Sequence, residues 1–343
     1  MEKKEWLYGK TLSELEEIVL NIGFNKFVAK QICDWLYKKG VNSFDDMKNL
    51  GKAKIATLNE NFEVGHFDYS DVFVSKDGTK KYLFPTLTNT KIESAYIPDK
   101  ERATLCVSSQ KGCRMGCKFC MTARGGYNGN LTSGEILNQV KMIDESDKLT
   151  NIVFMGMGEP LDNSKEVFNA LEILTSEWGY GWSPTRITLS SIGVMDSLEK
   201  FLENSKVHLA ISLHSPFSSE RKSIMPVENK FPIAQVLELI KRYDFSHQRR
   251  VSFEYIMFDG VNDTQKHINE LVDSLKGIHC RMNLIRFHKI PDFELLPSPQ
   301  KRIEDFRDAL SRSGIITTIR ASRGEDIFAA CGMLSDLKKN NIV

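Results

Sequence analysis

From Thr104 onward the chain alternates short apolar runs with amphipathic stretches, and this alternation restricts its fold more than any other feature. The runs are Thr104–Ser108, Ile152–Met157, Arg186–Leu189, His208–Leu213, Val251–Met257 and Arg281–Phe287. Helical periodicity fills most of the gaps, as in Ser133–Glu145, Lys165–Ser176, Ile233–Tyr243 and Thr264–Leu275. Strands separated by such helices form parallel βαβ units, because a parallel partner can be reached only by a long crossover. Six units are too few to close an eight-unit barrel. An open partial barrel and a doubly wound sheet both satisfy the pattern, and both place reactive groups at the C-terminal ends of the strands.

The N-terminal segment follows a different pattern. Thr11-Leu-Ser-Glu14 is a capping-box sequence, with Leu12, Leu15, Ile18 and Val19 at helical spacing. Phe27, Val28, Ile32, Trp35 and Leu36 predict a second helix ending near Gly40, and Ser43 to Asn61 one or two shorter ones. Val72–Val74 and Tyr82–Phe84 flank a turn at Lys76-Asp77-Gly78 and read as a hairpin; Lys91–Ile97, carrying Glu93, reads as a further strand. The expected organisation is a helical accessory domain over 1–65, a small linking sheet over 66–99 and an α/β catalytic domain over 100–343.

Composition removes several function classes. Hydrophobic residues are 41% and charged residues 27% of the chain, which excludes a disordered or collagen-like protein. No apolar run approaches the ~18 residues that span a bilayer. The opening MEKKEWLYGK lacks an apolar signal core, so a cytoplasmic protein is expected. The net charge of +1 means that any nucleic-acid binding must use a local basic face.

Residues with chemistry gather at the predicted strand ends: Cys113–Cys120 after the first, Gly158-Glu159 after the second, Ser190 at the third, Ser212-Leu213-His214 at the fourth and Asn283 in the sixth. Four of the seven cysteines fall between Cys106 and Cys120, and an odd total in a chain without a signal does not read as a disulfide framework. Cys113, Cys117 and Cys120 form a C-x3-C-x2-C loop. Iron–sulfur clusters normally take four cysteines, so three leave one iron open to another ligand. A zinc site completed by Cys106 or a distant His is the competing reading. Cys33 and Cys280 read as core.

The C-x3-C-x2-C loop after the first strand of a partial barrel resembles the radical S-adenosylmethionine superfamily. Cys106-Val-Ser-Ser-Gln-Lys-Gly-Cys113, Phe154-Met-Gly-Met-Gly-Glu-Pro160, Ile211-Ser-Leu-His214, Met282-Asn-Leu-Ile285 and Ala329-Ala-Cys-Gly332 resemble, within it, the RNA adenine methyltransferases called RlmN and their Cfr relatives. The resemblance implies a partial (β/α)6 barrel, with a helical accessory domain joined by a hairpin. It implies that Cys113, Cys117 and Cys120 bind a 4Fe-4S cluster whose fourth iron is chelated by S-adenosyl-L-methionine. Gly158, Glu159, Ser190, Ser212, Leu213, His214 and Asn283 are then the cofactor contacts, the Glu159 carboxylate accepting from the cofactor's ammonium.

The same resemblance assigns Cys331 as methyl carrier, Cys106 as second catalytic cysteine and Glu93 as proton acceptor. Two cofactor molecules serve each turnover. One methylates Cys331. The other yields a 5′-deoxyadenosyl radical that activates the S-methyl group for addition to adenine. Cys106 then helps deprotonate the adduct, and its sulfur attacks Cys331 to release the product, leaving a Cys106–Cys331 disulfide that must be reduced. The implied substrate is one adenosine of 23S ribosomal RNA, with transfer RNA as a second; an electron donor for the cluster and a monomeric state are also expected.

Gly158-Glu-Pro160 and Arg320-Ala-Ser-Arg-Gly-Glu-Asp326 look like the group that methylates carbon 2, whereas Arg286-Phe287-His288-Lys289 departs from a tryptophan- and proline-containing version found in some of its members. Cfr-type methylation of carbon 8, a non-catalytic zinc RNA-binding protein and a radical enzyme with a small substrate are the alternatives. Residues 1–90 hold 13 Lys and no Arg against 13 acidic residues. The candidate phosphate-binding residues therefore come from the C-terminal half: Lys241, Arg242, Arg249 and Arg250; Arg281, Arg286 and Lys289; Arg320 and Arg323.

Overall fold

A computed structural model describes residues 4–247 and 249–334. Ten strands form one open sheet whose spatial order is the order of the chain. They are β1 (Asp71–Val74), β2 (Lys80–Pro85), β3 (Lys91–Asp99), β4 (Arg102–Cys106), β5 (Asn151–Phe154), β6 (Ile187–Ser191), β7 (His208–Ser212), β8 (Val251–Met257), β9 (Cys280–Arg286) and β10 (Ile316–Ile319). From β4 to β10 every neighbouring pair is parallel. From β1 to β4 every pair is antiparallel.

The six predicted parallel strands are β4 to β9. The seventh, β10, lies outside the sequence expectation because its pattern points the wrong way: Ile316 is 53% exposed while Thr317 is buried. The segment 66–99 does not form a sheet of its own. The turn between Asp99 and Arg102 is too short for a crossover, so β3 and β4 must pair antiparallel, and β1–β3 become the edge of the main sheet.

Helices α4 (Ser133–Lys141), α5 (Ser164–Thr175), α6 (Met195–Asn204), α7 (Ile233–Ile240), α8 (Gln265–Ser274) and α9 (Gln300–Arg312) cover the parallel strands. Each buries an apolar stripe, for example Val236, Leu239 and Ile240 of α7; full burial of one such side chain is worth about 1.5–3 kcal/mol. Of the N-terminal helices α1 (Leu12–Asn21), α2 (Phe27–Cys33) and α3 (Lys52–Asn61), α1 carries the predicted capping box. The Glu14 carboxylate accepts the Thr11 N–H at 2.8 Å while the Glu14 N–H reaches the Thr11 hydroxyl at 3.3 Å.

This bundle is fastened to the α/β layer by polar contacts and close backbone approach. Ser133 Oγ donates to the Gly9 carbonyl at 2.6 Å, and the hydroxyls of Tyr8 and Tyr180 meet at 2.6 Å. Its core runs into the main core through Leu15, Val19, Ile32 and Leu36. Cys33 is buried as expected, whereas Cys280 is only half-buried at the start of β9. Among the described residues no helix is long and apolar enough to cross a membrane.

Candidate active site

The C-terminal ends of the parallel strands open onto a cavity of about 150 Å³ that Cys113, Cys117 and Cys120 line together. Their loop is held at several points. The Cys113 N–H donates to the Gly126 carbonyl at 2.9 Å, and the Lys118 N–H to the Ile224 carbonyl at 2.9 Å. Arg114 closes a two-bond fork on Asp162 at 2.8 and 2.6 Å. Apolar side chains, among them Met115, Phe119, Met225 and Phe258, pack around the thiols.

Burial pushes the Cys113 thiol up to about 12 and raises those of Cys117 and Cys120. Thiolates in this setting need the positive charge of a bound metal group. Among the described residues no three His, Cys, Asp or Glu side chains gather on a single-ion site. A cluster asks for a different arrangement, in which each cysteine binds its own iron, and a three-thiol wall with polar strand ends opposite fits that demand.

Gly158, Glu159, Ser190, Ser212 and His214 line the same cavity. Gly158 has φ +99°, and a Cβ there would stand 2.5 Å from Gln110 Cβ, so only glycine fits this turn. The Glu159 carboxylate accepts the Leu161 N–H at 3.1 Å and the Ile192 N–H at 3.0 Å. It thus ties the loops after β5 and β6, and any role toward an ammonium is shared with this backbone role. Burial raises it to about 7 despite those hydrogen bonds. His214 accepts the Ile256 N–H through Nδ1 at 3.1 Å, which leaves the proton on Nε2. Burial, then the nearby Arg221, pushes it down to about 3, so it is a neutral donor.

Leu213 and Asn283 do not line the cavity. The Leu213 side chain is fully buried in the core. Asn283 stands behind a carboxylate that the sequence reading missed: it donates to Glu254 Oε1 at 2.8 Å and accepts the Thr318 hydroxyl at 2.7 Å. Glu254 faces the cavity and pairs with Arg320 at 3.2 Å. Arg221 was missed too. It is fully buried against Glu228 and donates to the carbonyls of Ser212 and Leu213, each at 3.0 Å. One guanidinium therefore fixes the loop that presents His214. Arg221 stands in the polar stretch Ser218–Ser223, which reads as a solvated face, and Glu254 is a single charge within a strand, so neither residue carried a signal in the sequence.

A second cavity, of about 570 Å³, adjoins the first and is lined by Cys106, His288, Arg320 and Cys331. Cys331 and Arg320 line both cavities. Cys331 is exposed, not a buried inert thiol, whereas burial and then the neighbouring Cys331 push Cys106 up to about 12. Glu93 lines neither cavity. Sheet register places Lys81, Ala95, Cys106 and Val153 in one row across β2, β3, β4 and β5. Glu93 lies two residues from Ala95 on the same face, with its carboxylate 3.6 Å from the fully buried Lys81 ammonium.

The basic residues divide. Arg249 caps α6, donating to the Leu202 carbonyl at 2.7 Å and the Phe201 carbonyl at 3.3 Å, so it is not a free phosphate ligand. Arg320 is committed to Glu254, and Arg323 to Asp99 at 3.2 Å. Lys241 pairs with Glu238 at 2.9 Å. Arg102, Arg286 and Arg323 stand around the second cavity.

Comparison with known proteins agrees with this geometry. Residues 107–274 match the model of the radical SAM superfamily, and residues 6–64 match the ribosomal RNA large subunit methyltransferase N-terminal domain. The chain is 55% identical over its whole length, and the whole of the relative's, to a probable dual-specificity RNA methyltransferase RlmN of Parabacteroides distasonis. It is 41% identical to the dual-specificity RNA methyltransferase RlmN of Syntrophus aciditrophicus, across 95% of this chain and 94% of that one. The crystal structure of a radical SAM methyltransferase from Sphaerobacter thermophilus superimposes with a TM-score of 0.88 at 37% identity, covering 96% of this chain and 99% of the other.

Proposed function

The chain belongs to the RlmN family of radical SAM RNA methyltransferases, and from that premise we propose that it methylates carbon 2 of an adenosine in 23S ribosomal RNA, and of one in transfer RNA, through Cys331. The observation that carries this reading is the position of Cys331 on both cavities, between the three-cysteine loop and Cys106. A methyl carrier has to meet the cofactor first and the base second, and one side chain on a shared wall can do both.

Cys113, Cys117 and Cys120 would hold a 4Fe-4S cluster, and Gly158, Glu159, Ser190, Ser212 and His214 would contact S-adenosyl-L-methionine. When bound, these groups supply the methyl group and the one-electron chemistry that activates it. The chain's own residues do the rest. The apolar shell around the cluster loop excludes water. His214 Nε2 offers a hydrogen bond without a charge. Leu213 and Asn283 act indirectly, Leu213 through backbone and packing, Asn283 by orienting Glu254. Cys106 sits on the strand wall facing Cys331, where as a thiolate it can take a proton from the adduct, hand it on to a base and then attack the Cys331 sulfur. The bond from that sulfur to the transferred carbon breaks, the RNA leaves with that carbon as its new methyl group, and the surplus electron would return to the bound redox group. Glu93 is the reserve proton acceptor on that face, with the Lys81 ammonium 3.6 Å from its carboxylate.

RNA enters over the rim formed by Arg102 and Arg286, with the helical domain of residues 1–65 as an accessory binding surface and residues 66–99 joining it to the main sheet as that sheet's antiparallel edge. The target base must leave its stack to reach the second cavity. We further assign a monomer, working in the cytoplasm with a separate electron donor.

The test is anaerobic incubation of the cluster-loaded protein with S-adenosylmethionine, a reductant and ribosomal RNA fragments, followed by nucleoside mass spectrometry. The expected product is 2-methyladenosine with wild type and none with Cys331→Ala. Formation of 8-methyladenosine would move the chain to the Cfr type, and absence of any methylated adenosine would remove the substrate assignment.

A further inference from the structure

We propose that Asp326 and His288 are positioning residues that hold Cys331 against Cys106. The proposal deepens the methyl-carrier reading of Cys331 and rests on it.

The segment that leads to Cys331 buries little apolar surface of its own, yet its polar groups are fastened to elements far away in sequence. The Asp326 carboxylate accepts the Ser75 hydroxyl at 2.5 Å and the Lys76 N–H at 3.2 Å. The Gly324 N–H donates to the Asp77 carboxylate at 2.9 Å. Both contacts seat the segment on the β1–β2 turn. Burial opposes the charge of Asp77, but the N–H groups of Gly324 and Thr79 hold it down to about 2. The Ser75 hydroxyl and then the Lys76 N–H likewise lower Asp326. These carboxylates are therefore working acceptors.

His288 fastens the opposite side. Its Nε2 lies 2.5 Å from the Ser322 hydroxyl and its Nδ1 3.1 Å from the Glu325 carboxylate. His288 is buried and lies just beyond β9.

Between the two supports the chain turns sharply. Gly324 has φ +63°, and a Cβ there would meet Thr79 Cγ2 and Ala329 Cβ at 2.8 Å. The Ala329 N–H returns to the Gly324 carbonyl at 2.8 Å, and Cys331 follows two residues later. Beyond Cys331, the Met121 N–H donates to the Gly332 carbonyl at 2.7 Å, and the Thr122 hydroxyl to the Leu334 carbonyl at 2.6 Å. Cys331 is exposed but bracketed on both sides. Reactive groups lose rate steeply when displaced, about 100-fold for 1 Å, so the supports fix how readily Cys331 meets its partners.

The test uses cluster-loaded protein, whose three loop cysteines are occupied, and a limiting amount of dithiodipyridine under anaerobic conditions. Linking Cys106 to Cys331 removes two protons and two electrons from the thiols; the reagent accepts both and leaves as two thiopyridones. Peptide mass mapping follows the Cys106–Cys331 link, while melting and cluster absorbance report folding.

Asp326→Ala and His288→Ala are each expected to slow the link about tenfold or more. Asp326→Asn, which keeps one acceptor oxygen, should restore most of the rate. Ser75→Ala, a milder cut of the same contact, should slow it several-fold and serves if Asp326→Ala does not fold. Folded variants that link at the wild-type rate would overturn the proposal, as would a wild type that forms no link. The mass of the Cys331 peptide after incubation with S-adenosylmethionine is read separately. An unmethylated Cys331 there would overturn the methyl-carrier reading, while the linkage rates still decide the positioning claim.

Discussion

Two cysteines that share one cavity wall differ in the property that sets thiol reactivity: Cys106 is buried with a raised thiol, and Cys331 is exposed. The cluster loop was legible because three cysteines at close spacing have few other uses. Cys331 became legible only by resemblance, since one cysteine among small residues carries no signal. Lys81 and Glu254 were not legible at all. Lys81 is completely buried in a strand whose sequence reads as half-solvated, and burial pulls its ammonium down against the attraction of Glu93. Replacing it with Met removes that attraction and should cost about 3–5 kcal/mol of stability, as for a broken buried pair. In the folded fraction, Cys331 methylation should persist while RNA methylation falls, which peptide and nucleoside masses separate. His214 gives a pH prediction. Its folded value of about 3 lies below the ordinary 6.5, so the unfolded chain binds the extra proton between those values. Its contribution is present above about pH 6.5 and is lost as pH falls toward 3, by about 1.4 kcal/mol per pH unit. Denaturant titrations of cluster-free protein from pH 7 to 4 should show this slope reduced by one proton in His214→Asn.

Elements with clear periodicity matched the sequence reading to within a few residues, as at β8 and at the β1–β2 hairpin, while β10 and the joining of β1–β3 to the main sheet were not foreseen. The difference is physical. A central parallel strand is apolar on both faces, whereas an edge strand such as β10 exposes Ile316 and buries Thr317. Loop conformation was the least legible, because buried ion pairs set it. Arg221 holds the turn after β7 by two carbonyls and a third from Ile192 after β6, balanced by Glu228. Arg221→Met should therefore destabilise by about 3–5 kcal/mol, leaving the Glu228 charge buried without its guanidinium. The double variant Arg221→Met/Glu228→Leu should recover stability without recovering cofactor affinity. Chemical denaturation and equilibrium binding of S-adenosylmethionine to cluster-loaded protein measure the two.

Across the whole molecule, the sheet runs in chain order from the β1 edge, whose turn seats the Cys331 segment, to β10, which leads into it. The two ends of the sheet thus meet at one site, and the helical domain packs on the outside of α4 through Gly9 and Ser133. With a net charge of +1, RNA affinity needs a local basic face, and the proposed one includes the rim of the second cavity. Arg286→Ala should weaken RNA binding and lower the slope of log affinity against log salt by about one, read by titration at several salt concentrations.

The central claim is that the methyl group passes through Cys331, and one single-turnover experiment tests it directly. The protein is first methylated with S-adenosylmethionine carrying a labelled methyl group, freed of excess cofactor, then given unlabelled cofactor, reductant and RNA. The account predicts that the label leaves the Cys331 peptide and appears on carbon 2 of adenosine. A labelled protein that keeps its label while the RNA gains an unlabelled methyl group would contradict it.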